Sequence, residues 1–425
     1  MKPLFWPGLA LAGLLSLSGH AELAAPVYSL ETLRRLALEN NGSLRASRDQ
    51  VDIARAGIVT ARAYPNPELE TLRSNLRPLL PGAADGPGRS AYITQRIEYP
   101  WQRSTRIDAA IAAHEGAEAE ARGTRAELLA RLQYRFYELL RRQAEARAAS
   151  DDEALMGEIS RRVGLRVKIG EAPRYELIKA DAELLNAQKS RQSAVLGVGQ
   201  SKAWLRQLVG NVLPERFEID GELGHPPVPP TPEQMRAVLL ERNPELERSR
   251  AITRQAGHRL DYERSQRWPS LAVKGGHSRD PELRSTSIGV VLTLPLWDWR
   301  SGPVQEAAAG LSRARNEEDQ LAFSLQQELA AAWQNYQIAA TQVTALESGI
   351  VHQAEATLKV AEASYRYGER GILDYLDAQR VHRSARNELI AARFDLWVAA
   401  IQIERLLASP IAIVTSTVTS TATRP

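Results

Sequence analysis

The sequence predicts a mainly α-helical chain with a short β part, built by using one strand-strand-helix-helix unit twice. Three observations carry that reading. Segments recur at offsets of 197 to 202 residues, two stretches of more than sixty residues run without an internal proline, and short segments just before them alternate apolar and polar side chains.

The repeat is visible residue by residue. Leu38-Glu39-Asn40-Asn41-Gly42-Ser43-Leu44 matches Leu240-Glu241-Arg242-Asn243-Pro244-Glu245-Leu246, and Pro67-Glu68-Leu69 matches Pro269-Ser270-Leu271, both at offset 202. Ile97–Arg103 matches Leu294–Arg300 at offset 197, and Gly170-Glu171 matches Gly368-Glu369 at offset 198. The slip falls where Pro78, Pro81, Gly82, Gly86, Pro87 and Gly88 mark a loop, so the halves differ mainly in one loop length.

Residues 1–21 read as a signal peptide. Lys2 supplies the positive start, Leu9 to Leu17 the apolar stretch, and Gly19-His20-Ala21 a small-x-small cleavage site. The first repeat then covers 22–210 and the second 231–409, with a Pro/Gly-rich linker at 211–230.

Each repeat opens with an amphipathic helix, about 29–63 and 231–267. Extended segments follow, about 67–75 and 90–99 in the first repeat and 270–277 and 286–295 in the second. Ile288, Val290, Leu292 and Leu294 share one face; Ser287, Gly289 and Thr293 share the other, with Val291 the exception. Four strands cannot close a barrel, but three chains would supply twelve, an even number in the range of outer-membrane barrels. Read by themselves, the strands also fit edge hairpins on a soluble helical protein.

The long helices are expected at about 103–168 and 303–366. Leu311, Leu321, Leu325, Leu329, Ala332, Tyr336, Val343, Leu346, Ile350, Leu358, Ala361 and Tyr365 form a near-heptad stripe. At 1.5 Å per residue the second would span about 95 Å, longer than a globular domain needs. Gly-containing turns at Gly170 and Gly368 lead into helices 174–209 and 373–408. Length balance suggests 174–209 stacked on 231–267, and 373–408 on 29–63. The Ser/Thr-rich residues 410–425 read as a loosely attached tail.

Composition narrows function. Hydrophobic residues make up 44% of 425, charged residues 25%, and the formal net charge is +3 with both signs interspersed, which argues against a nucleic-acid surface. There are no cysteines, hence no disulfide, thiol chemistry or lipoprotein anchor. Phosphate-loop, nucleophile-elbow and His-Glu-x-x-His signatures are missing, so an enzyme is not expected. The seven histidines show no zinc-site spacing, and neither a metal site nor a cofactor is expected. Trp101, Trp297 and Trp299 fit either a membrane-interface girdle or packing where strands meet helices.

Two motifs add a family. Tyr365-Arg366-Tyr367-Gly368-Glu369-Arg370-Gly371-Ile372-Leu373-Asp374-Tyr375-Leu376-Asp377-Ala378-Gln379 resembles the helix-turn-helix at the periplasmic tip of the TolC-like outer-membrane efflux channels. Gln95-Arg96-Ile97-Glu98-Tyr99-Pro100-Trp101-Gln102-Arg103, with Tyr64-Pro65-Asn66-Pro67-Glu68-Leu69 before it, is similar to the heavy-metal cation (CzcC-like) branch, which often has Gly-Lys-Arg where this chain has Trp101-Gln102-Arg103. The resemblance covers about residues 28–408.

It implies a homotrimer: a twelve-stranded outer-membrane β-barrel, in contact with outer-membrane lipid, joined to a periplasmic α-helical barrel. The trimer would dock a periplasmic adaptor and an inner-membrane resistance-nodulation-division pump and pass divalent cations unchanged. Asp374 and Asp377 match the carboxylates of the pore constriction, and Tyr365, Arg370 and Glu176 match the clasp that holds neighbouring helices closed. The alternatives are a duct for drugs or secreted proteins and, in another class, a soluble periplasmic coiled-coil adaptor.

Overall fold

The computed structural model describes residues 25–77, 82 and 84–411. The expected signal peptide and all of the tail after Ile411 lie outside the described residues. The chain runs β1 (Val27–Ser29), α1 (Leu30–Asn40), α2 (Gly42–Arg62), β2 (Glu68–Leu76), β3 (Gly86–Ile97), α3 (Pro100–Lys168) and α4 (Arg174–Val209). It continues through β4 (Glu218–Asp220), α5 (Pro232–Arg242), α6 (Pro244–Ser265), β5 (Ser270–Arg279) and β6 (Arg284–Thr293). Next come α7 (Ser301–Ala345), a π turn (Leu346–Ile350), α8 (Val351–Arg366) and α9 (Ile372–Leu407).

The first helix of each repeat is broken at an asparagine. The side-chain oxygen of Asn41 accepts from the N–H groups of Ser43 (3.0 Å) and Leu44 (3.2 Å), capping α2. Asn243 does the same for Glu245 (3.0 Å) and Leu246 (3.1 Å). Each cap satisfies donors that a helix start leaves unpaired. The amide nitrogens reach further: Asn41 donates to the Leu208 carbonyl and Asn243 to the Leu406 carbonyl, each at 2.9 Å. The C-terminus of α4 therefore meets the α1–α2 junction, and that of α9 the α5–α6 junction. Stacking occurs within each repeat, not between repeats as length balance suggested, because these asparagines bind the helix ends of their own half.

The long helices are unequal. α3 is a continuous α-helix of 69 residues, about 100 Å long. Its counterpart carries the π turn, and the buried stripe shows why. Leu325, Ala332, Ala339 and Leu346 recur every seven residues, but the next buried position is Ala354, eight on. A π turn holds one extra residue, which keeps the stripe facing its partners. Above the turn, Leu325, Leu329 and Val343 pack against Leu396, Ile403 and Met235. Below it, Leu358, Ala361 and Tyr365 pack against Val163, Ile372 and Tyr375.

The linker is packed as well. β4 pairs in parallel with β1 through Tyr28 and Ile219, and Leu213 and Phe217 are buried in the core of the first repeat. Two three-residue strands give too short a periodicity to read in sequence. The tail also begins inside the fold: Ile411 is fully buried, and its N–H donates to Glu404 at 3.0 Å.

β2, β3, β5 and β6 form one antiparallel sheet in that order. The two hairpins join through β3 and β5, with Ile97 opposite Leu271 and Arg89 opposite Arg279. All four connections to helices leave one end of the sheet; both hairpin turns lie at the other. β2 and β6 are its open edges.

Candidate permeation path and tip

Cross-strand partners in an antiparallel sheet share a face. One face carries the rows Leu69–Ile93–Gly275–Ile288, Gln95–Val273–Val290 and Ile97–Leu271–Leu292. The opposite face carries Leu72–Ser90–Ser278–Ser285, Glu70–Tyr92–Gly276–Ser287, and Thr94–Lys274–Gly289 with Glu68. The Lys274 ammonium pairs with Glu70 at 2.8 Å and lies 4.5 Å from the Tyr92 ring centroid. The apolar face is uncovered: Ile288 is 85% and Leu69 70% exposed. Apolar outside and polar inside is the pattern of a membrane barrel wall, not of edge hairpins on a soluble protein. Among the described residues no helix is long and apolar enough to cross a membrane.

The Gln95–Arg103 motif joins sheet to helices. The Gln95 amide donates to the Pro65 carbonyl (2.9 Å), the Tyr99 hydroxyl to Pro269 (2.9 Å) and the Gln102 amide to Ser265 (2.9 Å). Arg103 donates to the Arg62 carbonyl (2.7 Å), and Arg106 pairs with Glu98 at 2.8 Å. These bonds satisfy the backbone ends of α2 and α6 beside the start of α3. Trp101 stacks on Tyr99 (4.7 Å between centroids) and meets Trp268 edge-on (6.0 Å). Trp297 and Trp299 are exposed at the same junction.

The tip is built alike in both repeats. Gly170 (φ 79°) and Gly368 (φ 74°) adopt the left-handed conformation that glycine accepts without strain. The next N–H turns back five residues, Glu171 to Arg166 (2.8 Å) and Glu369 to Ser364 (2.9 Å), closing helix ends of Schellman type.

Within the single chain the tip side chains pair differently from the expected clasp. Arg370 faces Asp374 at 3.9 Å, one helical turn away, and makes no ion pair with Glu176. Glu176 sits partly buried in the first turn of α4. Tyr365 stacks in parallel with Tyr375, centroids 5.8 Å apart, and its hydroxyl is buried without a hydrogen bond of normal geometry. The Arg166 guanidinium lies 5.4 Å from the Tyr365 ring centroid. Contact with that tyrosine chiefly, then the Glu176 and Glu171 charges, holds Arg166 more firmly protonated. Sequence reasoning missed Arg166; its place in the last turn before Gly170, where a cation suits a helix C-terminus, was the available signal. Asp377 pairs with Arg380, so each candidate pore carboxylate has an arginine on its own segment. Both are largely exposed, and among the described residues no group of three acidic, His or Cys side chains is placed to hold a metal ion.

Known proteins share this architecture. The family described as outer membrane efflux protein matches residues 33–211 and 236–409. The cobalt-zinc-cadmium resistance protein CzcC of Cupriavidus metallidurans is 29% identical over 91% of each chain. The Campylobacter jejuni CmeC outer membrane channel superposes with a TM-score of 0.78 at 16% identity, covering 99% of this chain and 98% of its own. CusC superposes at 0.77 with 18% identity, covering 96% and 99%. By the extent of the profile match and the architecture it encodes, the chain belongs to the outer membrane efflux protein family.

Proposed function

We propose that the chain is the outer-membrane exit duct of a tripartite efflux system for divalent heavy-metal cations. The observation that carries the duct is the segregation of faces across four strands, which makes the sheet a third of a twelve-stranded wall. The open edges β6 and β2 would pair between neighbouring copies, closing a homotrimer. Helices α2 to α9 would form the periplasmic barrel, with its tip presented to an adaptor and an inner-membrane pump of the resistance-nodulation-division type.

The metal reading is supported by the Gln95–Arg103 motif and by the likeness to a protein named for cobalt, zinc and cadmium resistance. A duct conducts only if its cargo is released, so a tight metal site is not required. In this reading Asp374 and Asp377 of three copies line the narrowest opening and favour cations. Tyr365, Arg370 and Glu176 hold the tip closed across subunit contacts absent from a single chain, while the turns at Gly170 and Gly368 shape it.

The test is deletion of the gene, followed by growth on zinc, cobalt, cadmium, nickel, copper and silver salts alongside dyes and antibiotics. Sensitivity to some of the metals is expected. Sensitivity to drugs alone would keep the duct and reject the metal cargo.

A further inference from the structure

One row of the sheet has no counterpart among the apolar rows beside it. Arg73 lies opposite Arg89, Arg89 opposite Arg279, and Arg279 opposite Arg284. Four arginines thus stand side by side across all four strands. By register they share the apolar face, separated from the Ile93–Ile288 row by Thr71, Ala91, His277 and Thr286. All four are exposed. They lie at the hairpin-turn end, away from the helices.

Like charges directly opposite one another destabilise a sheet. Asp85, Asp280 and Glu282 line the same hollow as Arg89, Arg279 and Arg284, but none of the three pairs with an arginine of the row. None of the four has an ion pair or side-chain hydrogen bond among the described residues. The acids of the β5–β6 turn are engaged with backbone: Asp280 accepts from the N–H groups of Glu282 (3.3 Å) and Leu283 (2.6 Å), and Glu282 from that of Ala84 (2.5 Å). The undescribed loop residues 78–81 and 83 are Pro, Leu, Leu, Pro and Ala and bring no acid.

We infer that this row binds the phosphate groups of the glycolipid forming the outer leaflet of the outer membrane. The inference rests on reading the sheet as a barrel wall. If the helices lie in the periplasm, the hairpin turns face the outside and the row meets the outer headgroups. Strand tilt makes the row climb about 9 Å across one chain, on the order of one headgroup layer. Guanidinium groups bind phosphate through paired N–H donors, and arginine suits that geometry better than lysine. The face parity excludes the lumen as the place where the row acts, so an exported anion is not its ligand.

The experiment uses the purified full-length trimer in detergent, with thermal unfolding followed as lipid is added. Bisphosphorylated lipid A should stabilise the wild type; the same lipid stripped of its phosphates, or inorganic phosphate alone, should not. Arg89→Gln/Arg279→Gln should weaken lipid A binding by about a hundredfold, each charge-assisted contact being worth about tenfold. Equal stabilisation by dephosphorylated lipid, equal protection by free phosphate, or unchanged binding by the double variant would each overturn the inference. Should the glutamine variant fail to assemble, Arg89→Lys/Arg279→Lys keeps the charge and must still prefer the phosphorylated lipid. Failure of the barrel reading shows elsewhere: the wild-type chain would then leave the envelope fraction with soluble proteins.

Discussion

Arg386 on α9 reaches Asp152 on α3, its Nη2 lying 3.0 Å from the carboxylate while also donating to the Ala148 carbonyl at 2.9 Å. The pair joins the long helix of one repeat to the return helix of the other. Burial raises the Asp152 pKa above its ordinary value, and Arg386 and Arg383 pull it back. Arg386→Met should cost about 2 kcal/mol at neutral pH, less than for a fully buried pair because the arginine is partly exposed. Adding Asp152→Asn should recover more than half of that loss.

The pH dependence follows from the sign. A carboxyl whose folded pKa is raised stabilises the fold when protonated. That contribution is complete below the unfolded value near 3.8 and is lost as pH rises through the folded value. Without Arg386 the pKa rises further, so the single variant should gain on the wild type as pH falls through the carboxylate range. Parallel melting curves over that range would refute the assignment.

The π turn makes a prediction about chain length. Glu347 within it accepts from Arg393 at 2.7 Å and lies 3.2 Å from the His225 ring nitrogen, which pins the turn to α9 and to the linker. Removing Gly349 should leave a continuous α-helix, because Leu346 and Ala354 then stand seven apart. Removing Gln337 instead throws Ala339 and Val343 out of phase with α9. Melting of the detergent-solubilised protein should show a small change for the first deletion and loss of assembly for the second. Equal damage by both would mean that the extra residue is not what the turn absorbs.

The internal repeat also specifies the seam between copies. Gln95 faces Val273 where β3 meets β5. Carrying that pair by the offsets 197 and 202 gives Leu292 of β6 opposite Thr71 of β2 in the neighbouring copy. The chain has no cysteine, so Leu292→Cys/Thr71→Cys should yield covalent trimers on oxidation against a clean background. Preferential linking of Val290→Cys to Thr71→Cys would show a seam slipped by two residues from the inner one.

Much of this architecture is readable before any coordinates. Strands that wall a barrel expose one face to lipid, so Ile288, Val290, Leu292 and Leu294 alternate with Ser287, Gly289 and Thr293, and Val291 alone breaks the pattern. The eight-residue step from Leu346 to Ala354 was not legible, since alanines are frequent along this helix and only burial singles out Ala354. Asn41 and Asn243 were legible as a repeat but not as helix breaks, since the Leu208 and Leu406 carbonyls that fix them lie more than 160 residues away. The tip turns follow from Gly170 and Gly368, whose left-handed backbone is a local property. The partner of Arg370 is not local to the motif: an exposed arginine takes whichever carboxylate the folded chain or a neighbouring copy presents.

That competition yields the last prediction. The contact of Arg370 with Asp374 is exposed and long, worth well under about 1 kcal/mol. It can be exchanged for a subunit contact at little cost. Arg370→Ser should therefore do two things in a planar bilayer: raise conductance by loosening the tip, and sharpen cation preference by freeing Asp374. Asp374→Asn/Asp377→Asn should reduce the preference for cations, most at low salt, where carboxylates are least screened. If reversal potentials under a salt gradient match the wild type in both variants, the two aspartates do not line the constriction. If only the arginine variant is silent, the pore assignment stands and the clasp does not.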